Sequence, residues 1–188
     1  MGHDISVYHT EVFLRYLLQQ PSNIIITISS LLLCFLLSLD RLPGMEILSV
    51  GPNWLVIWLV TWSLTHNRSQ SLITAVSLSL VLDGLSSAYP SHLFGLVIVA
   101  WFNSSAKSKN DLGSFHSIIL VVLKIFFWVL AVEAIIALQY LLLNFDYNNG
   151  LWLRYQRIGL SSALLSSVWT PLIYWPLSRW WLYCNKKK

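Results

Sequence analysis

Three charged residues, Asp83, Lys124 and Glu133, lie inside long apolar stretches of this chain. A charge near the middle of a bilayer costs about 2.5–3.5 kcal/mol on insertion scales, so each of these residues requires a partner or a function. Asp83 and Glu133 lie at similar predicted depths, not far from His92, so the three side chains could form one polar cluster. Two carboxylates and an imidazole can carry protons, hold a metal ion or bind a polar ligand.

The alternative is structural: a buried hydrogen-bond network that fixes helix packing, or groups that reach the outer interface. We favour this interpretation, because the three groups lack the i, i+4 spacing of a helical metal site. Lys124 and Glu133 share one predicted helix but stand nine residues apart. They therefore point to opposite faces, about 13 Å apart along the helix axis, and cannot pair. Lys124 is instead expected to extend its side chain towards the cytoplasmic interface.

No catalytic motif accompanies these charges. The sequence contains no GxSxG, no HExxH and no glycine-rich phosphate loop. An intramembrane aspartyl protease would need a second aspartate to work with Asp83, and none is present in a suitable context. Cys34 and Cys184 do not have metal-ligand spacing. We therefore expect no enzyme activity, no cofactor and no metal site.

The composition explains where these charges must lie. Of the 188 residues, 56% are hydrophobic and only 11% are charged. A soluble domain of this size could not bury so much apolar surface. The length suits about six spanning helices with short connections. We predict an all-α, polytopic membrane protein, with about six transmembrane helices in one bundle and both termini in the cytoplasm.

The predicted order is an interfacial segment at 1–21, the transmembrane bundle at 22–182 and a basic cytoplasmic tail at 183–188. The spanning helices are predicted at 22–39, 47–64, 71–87, 92–102, 117–143 and 158–181. The fourth is short for a bilayer. The sixth follows a turn at 144–150 and an interfacial stretch at 151–157, and it contains prolines that are expected to break it.

The positions of the basic residues favour six crossings. With six, the cytoplasmic side holds Arg15, Arg68, Lys107, Lys109, Arg179 and Lys186 to Lys188, and the outer side holds Arg41, Arg154 and Arg157. This distribution follows the positive-inside rule, whereas omitting the fourth crossing would place Lys107 and Lys109 outside. The net charge of +4 does not indicate nucleic-acid binding, because the basic residues are scattered and the terminal lysine run fits anionic lipid.

Ten tryptophans are present, and three of them follow a helical repeat. Trp54, Trp58 and Trp62 form one stripe on the second predicted helix. Trp175 and its neighbours near the end of the last helix fit an aromatic belt at the lipid interface. The stripe spans too much depth to be only a belt, so we expect it to pack on another helix or on a partner protein.

Two segments resemble the MreD family of bacterial rod-shape-determining membrane proteins: PNWLVIWLVTWSL at 52–64 and VLDGLSSAYPSHLFG at 81–95. The positions that carry the resemblance are Pro52, Trp54, Trp62, Asp83, Ser87, Pro90 and His92. Size, six-helix layout and the proline-containing last helix agree over most of the chain. One departure is that Ser77 and Ser79 stand where glycines usually precede the aspartate, which could loosen helix contacts there.

The resemblance implies a non-enzymatic component of the cell-shape (elongation) complex in the bacterial cytoplasmic (inner) membrane. Its implied partners are MreC, MreB by an indirect link, and RodA with its cell-wall transpeptidase in peptidoglycan synthesis. On this interpretation the Trp stripe and the turn from Asp83 through Pro90 to His92 are structural or face a partner. We expect the Asp83 carboxylate to hold that turn.

Two other functions stay open. The family is similar in size and helix number to the substrate-binding subunits of energy-coupling-factor vitamin transporters, which implies a ligand pocket among the outer polar residues. A proton-coupled carrier that uses Glu133 is the third hypothesis. The partners that copurify with the chain distinguish the first two, because a transporter subunit should bring an ATPase module with it.

Overall fold

The computed structural model describes five stretches of the chain: residues 25–38, 50–85, 90–104, 115–143 and 149–186. Their regular structure consists of six α-helices, which confirms the all-α prediction. The helices are α1 (Ile25–Ser38), α2 (Trp54–Thr65), α3 (Arg68–Leu85), α4 (Leu93–Ser104), α5 (Phe115–Leu143) and α6 (Asn149–Lys186). The predicted interfacial segment at 1–21 lies outside the described residues, as does the end of the predicted basic tail.

Helix α2 begins later than the sequence predicted, at Trp54 rather than near residue 47. Residues 51–53 are not helical, because Pro52 lacks a backbone donor and Gly51 is permissive. Asn53 then caps the helix: its side-chain Oδ1 accepts the N–H of Val56 at 3.2 Å. The predicted second crossing therefore contains only twelve helical residues.

Helix α6 differs most from the prediction. It runs without interruption from Asn149 to Lys186, so 151–157 is not a separate element and the prolines do not break the helix. Pro171 and Pro176 each remove one backbone donor, a loss that normally favours a kink or break. Buried side chains that follow them, including Tyr174 and Trp181, keep the helix packed against the bundle. Tertiary contacts therefore outweigh the local proline signal.

Helix α2 occupies the centre of the bundle. All but one of its residues are buried, and it packs against α3, α4, α5 and α6. The indole Nε1 of Trp58 donates to the Ser30 hydroxyl of α1 at 3.0 Å, which attaches the first helix as well. The buried hydroxyls of Thr61 and Ser63 donate to carbonyls of their own helix, so they do not need water in the core.

Two glycines allow helices to approach α5 closely from both sides. A Cβ at Gly95 of α4 would lie 3.2 Å from Val132 Cγ1, and a Cβ at Gly159 of α6 would lie 3.3 Å from Glu133 Cβ. Because Val132 and Glu133 are adjacent, α4 and α6 pack closely against α5 at the same height along its axis. Small residues at such crossings let the backbones pack closely.

The outer faces of the bundle are apolar. Large exposed hydrophobic side chains occur on five of the helices, and examples are Leu32, Leu33, Ile73, Leu80, Phe94, Phe102, Phe127, Leu138, Leu164 and Val168. One helix segment, Ile118–Leu142, is long and apolar enough by itself to cross a membrane. Within the described residues, α1, α2 and α4 are shorter apolar helices.

Candidate functional site

The turn between α3 and α4 is held by one carboxylate. Ser91 Oγ donates to Asp83 Oδ2 at 2.6 Å, and the backbone N–H of His92 donates to Asp83 Oδ1 at 2.9 Å. The His92 ring also contacts Oδ1 through Nδ1, at 2.8 Å. Asp83 thus lies at the N-terminus of α4, where a negative charge is favourable. The structure brings these two predicted residues into direct contact.

Ser91 connects this carboxylate to the first turn of α4 and to α5. Its Oγ accepts the backbone N–H of Leu93 at 3.2 Å. The side-chain amide of Gln139 pairs with the Ser91 backbone in both directions: Oε1 accepts its N–H at 2.8 Å and Nε2 donates to its carbonyl at 3.0 Å. Pro90 is buried just before Ser91 and, having no N–H, leaves no donor unpaired there. Helices α3, α4 and α5 are therefore joined at one serine.

Glu133 has a separate partner. The side chain of Asn53 hydrogen-bonds to its carboxyl group, and His92 lies within electrostatic range of it. The backbone N–H of Asn53 donates to Ser166 Oγ of α6 at 2.8 Å. Asn53 therefore links the start of α2 to both α5 and α6. Glu133 therefore interacts with His92 of the Asp83–His92 pair and with Asn53 at the start of α2.

We call these side chains together the polar tie: Asn53, Asp83, Ser91, His92, Glu133, Gln139 and Ser166. The polar tie joins five helices, α2 to α6. It lies at the starts of α2 and α4 and near the end of α3, and it reaches the interior of α5 at Glu133 and the middle of α6 at Ser166. Its hydrogen bonds are made between protein groups, including both oxygens of Asp83. Among the described residues, no three His, Cys, Asp or Glu side chains are grouped as a metal site requires. The arrangement fixes the α3–α4 turn and the start of α2 against the neighbouring helices.

Sequence reasoning found only part of the polar tie. Asp83, His92 and Glu133 are predicted from the sequence, but Asn53, Ser91, Gln139 and Ser166 are not. Gln139 carried a detectable signal, because it is an uncharged polar residue inside an otherwise apolar helix, where an amide needs a partner. Asn53 carried a weaker one as the residue between Pro52 and a helix start.

The Trp stripe packs inside the bundle, against α6. Trp54 and Trp58 are buried, at 4% and 1% exposure. The Trp54 ring lies 5.8 Å from Trp169, and the Trp181 ring meets the rings of Trp58 and Trp62 edge-on at 6.2 and 5.2 Å. Of the two predicted alternatives, the contact with another helix is therefore confirmed for this stripe. Such aromatic pairs add about 0.5–1.5 kcal/mol each beyond burial.

The remaining predicted residue, Lys124, belongs to neither group. It lies on the exposed side of α5, between the exposed side chains of Leu120 and Phe127 along that face. The structure thus separates Lys124 from Glu133, as the helical spacing predicted.

Comparison with known proteins leaves the family open. No protein-family model, no curated protein and no solved structure matches the chain. The resemblance to MreD therefore stays a prediction from the two sequence segments.

Proposed function

We propose that this chain is a multi-pass protein of the bacterial cytoplasmic membrane, with six crossings and both termini inside. Helix α5 supports this placement. Its segment Ile118–Leu142 is strongly apolar, yet only 22% of its most apolar stretch is buried. A central helix of a soluble protein with that composition would be mostly enclosed, because exposed apolar patches of this extent are rare in water. Lipid acyl chains are the solvent that such a surface fits.

The short helices are compatible with the same placement. Twelve residues of α-helix rise about 18 Å, less than the hydrocarbon thickness of about 30 Å. Helix α2 is enclosed by protein, and of the non-helical residues before it Pro52 is buried and Asn53 is half-buried. At the start of α4, Gln139 pairs both backbone groups of Ser91. Non-helical backbone at membrane depth is tolerated where protein groups satisfy it in this way.

Within the membrane, we infer a non-enzymatic role in the cell-shape complex. The chain would support MreC and, through it, the peptidoglycan synthesis directed by MreB and carried out by RodA with its transpeptidase. The observation that carries this proposal is the Asp83–Ser91–His92 turn. It lies in a segment that resembles MreD, and its polar groups are engaged within the chain. A rigid turn presents a constant surface to a partner, as a scaffold requires.

The contacts of the polar tie argue against the other two functions. A transporter subunit would present unpaired polar groups to its ligand, whereas Asp83 and Gln139 are bonded to the α3–α4 turn. A proton carrier would need Glu133 to change partners, whereas its carboxyl group interacts with His92 and with the Asn53 side chain. The transporter subunit stays the alternative to be tested.

Purification of the tagged full chain from its native membrane in mild detergent, followed by mass spectrometry, tests the proposed function. MreC is expected to be enriched over a control purification with an unrelated multi-pass protein, with RodA present in addition when the complex survives. A matched Asp83→Leu variant is expected to recover less MreC than Asp83→Asn. Recovery of an ATPase pair without MreC would contradict the scaffold and support the transporter subunit.

A further inference from the structure

The end of the bundle opposite the polar tie carries two exposed cations beside exposed aromatic rings. Arg68, the first residue of α3, places its guanidinium carbon 3.2 Å from the centroid of the Trp101 ring. Phe102, the next residue of α4, has its ring 5.9 Å from that of Trp128 in α5. Lys124 precedes Trp128 by four residues and so lies on the same side of α5. Three helices contribute to this group.

The positions of Arg68 and Lys124 along the bundle axis fit the membrane–water interface. Phe102 packs beside Trp128, two residues before α4 ends at Ser104. Lys124 precedes Trp128 by four residues, a rise of about 6 Å towards the same end of the bundle. Lys124 therefore lies near the level where α4 ends. A lysine there can carry its ammonium group to the headgroup region. Arg68 starts α3 at the same end. The positive-inside distribution places this end in the cytoplasmic leaflet, where anionic lipids are concentrated.

The surroundings of Lys124 are apolar. Leu120 and Phe127, one turn before and after it on the same face, are 54% and 65% exposed. Within the described part of the chain, Asp83 pairs with His92, and no acidic side chain pairs with Lys124. An exposed cation above an exposed apolar strip fits a molecule that is anionic at one end and apolar at the other.

We propose that Arg68, Trp101 and Lys124 form a site for an anionic phospholipid of the cytoplasmic leaflet. The phosphate binds at the Arg68 guanidinium on Trp101 of α4, Lys124 on α5 adds a second positive charge on the other side of Phe102, and the acyl chains lie along the face of α5 that carries Leu120 and Phe127. Trp101 orients the guanidinium by a cation–π contact, so that less freedom is lost on binding. A phospholipid fits this site better than a carboxylate of a partner protein, because the surface beside the cations is apolar and exposed at Leu120 and Phe127. This inference rests on the proposed membrane placement.

The test uses the full chain reconstituted in phosphatidylcholine vesicles that contain a minor fraction of phosphatidylglycerol. After detergent extraction, mass spectrometry measures the ratio of the two lipids retained by the protein. The wild type is expected to retain phosphatidylglycerol preferentially. Arg68→Gln and Lys124→Gln are each expected to reduce that preference about fivefold, as the loss of one basic group near anionic lipid predicts.

Matched controls separate the site from general charge. Arg157→Gln removes an exposed cation near the other end of the bundle and should leave the lipid ratio unchanged. Lys124→Arg retains the charge and should restore the preference. An unchanged ratio in the Arg68→Gln, Lys124→Gln double variant would overturn the lipid site while leaving the membrane placement intact. A wild-type chain that stays in the aqueous phase would overturn the placement, and this inference with it.

Discussion

Asp83→Leu is expected to lower the free energy of unfolding by about 3 kcal/mol, whereas Asp83→Asn is expected to lower it by about 1 kcal/mol. The leucine removes the acceptor for the Ser91 hydroxyl and for the backbone N–H and ring of His92. Hydrogen bonds to a charged acceptor contribute about 1.5–3 kcal/mol, and donors left unpaired away from water add a penalty. The Asp83 side chain is only 19% exposed, so water replaces the carboxylate poorly.

Asparagine retains one acceptor oxygen for the His92 backbone, and the Ser91 hydroxyl can turn to accept from the new amide. The comparison therefore isolates the charge from the geometry. Thermal unfolding of the purified chain in detergent checks both variants, and the leucine variant should melt about 6–12 °C below the wild type. Equal melting temperatures for the wild type and both variants would show that the hydrogen bonds of Asp83 do not stabilise the fold.

Gly95→Leu is expected to cost about 3 kcal/mol or more, because a branched side chain cannot fit between α4 and α5. A Cβ at this position would already lie 3.2 Å from Val132 Cγ1 and 3.5 Å from the Val132 Cα. Gly95→Ala is expected to change stability by less than about 1 kcal/mol. Its contact requires a small shift of the Val132 side chain, and the higher helix propensity of alanine offsets the strain.

Gly84 provides the matched control for this experiment. It also lies in a helix, α3, but nothing lies within 4 Å of a Cβ built there. Gly84→Leu should therefore leave the melting temperature in detergent near that of the wild type. If both leucine variants are equally destabilised, the effect comes from the loss of glycine itself and not from the α4–α5 contact.

The sequence predicted the helices well where one strong apolar stretch decided the outcome. Helix α5 was predicted at 117–143 and is found at Phe115–Leu143. Helix α2 was harder, since it is buried on all sides and has no polar face to mark its ends. Helix α6 was predicted in pieces because proline and polar residues signal breaks locally. Those local signals are weaker than packing along its length.

The polar tie was predictable only in part, for a physical reason. Asp83 and His92 lie nine residues apart in sequence, so a turn between them naturally brings them together. The contact between Gln139 and Ser91 spans 48 residues, and the one between Asn53 and Ser166 spans 113. Such pairs depend on how the helices are arranged, which the pattern of apolar residues in a single sequence does not specify.

The proposed membrane placement is tested most directly through the orientation of α5, by labelling single cysteines on either side of it in spheroplasts with an impermeant maleimide. In a Cys34→Ala, Cys184→Ser background, Asn148→Cys should be labelled in intact spheroplasts and Ser108→Cys only after permeabilisation. This result is expected because the positive-inside distribution places 105–114 in the cytoplasm and 144–148 outside. The reverse pattern would mean either that α4 does not cross or that the whole bundle is inverted, and either result would contradict the six-crossing placement with both termini inside that is proposed for this protein.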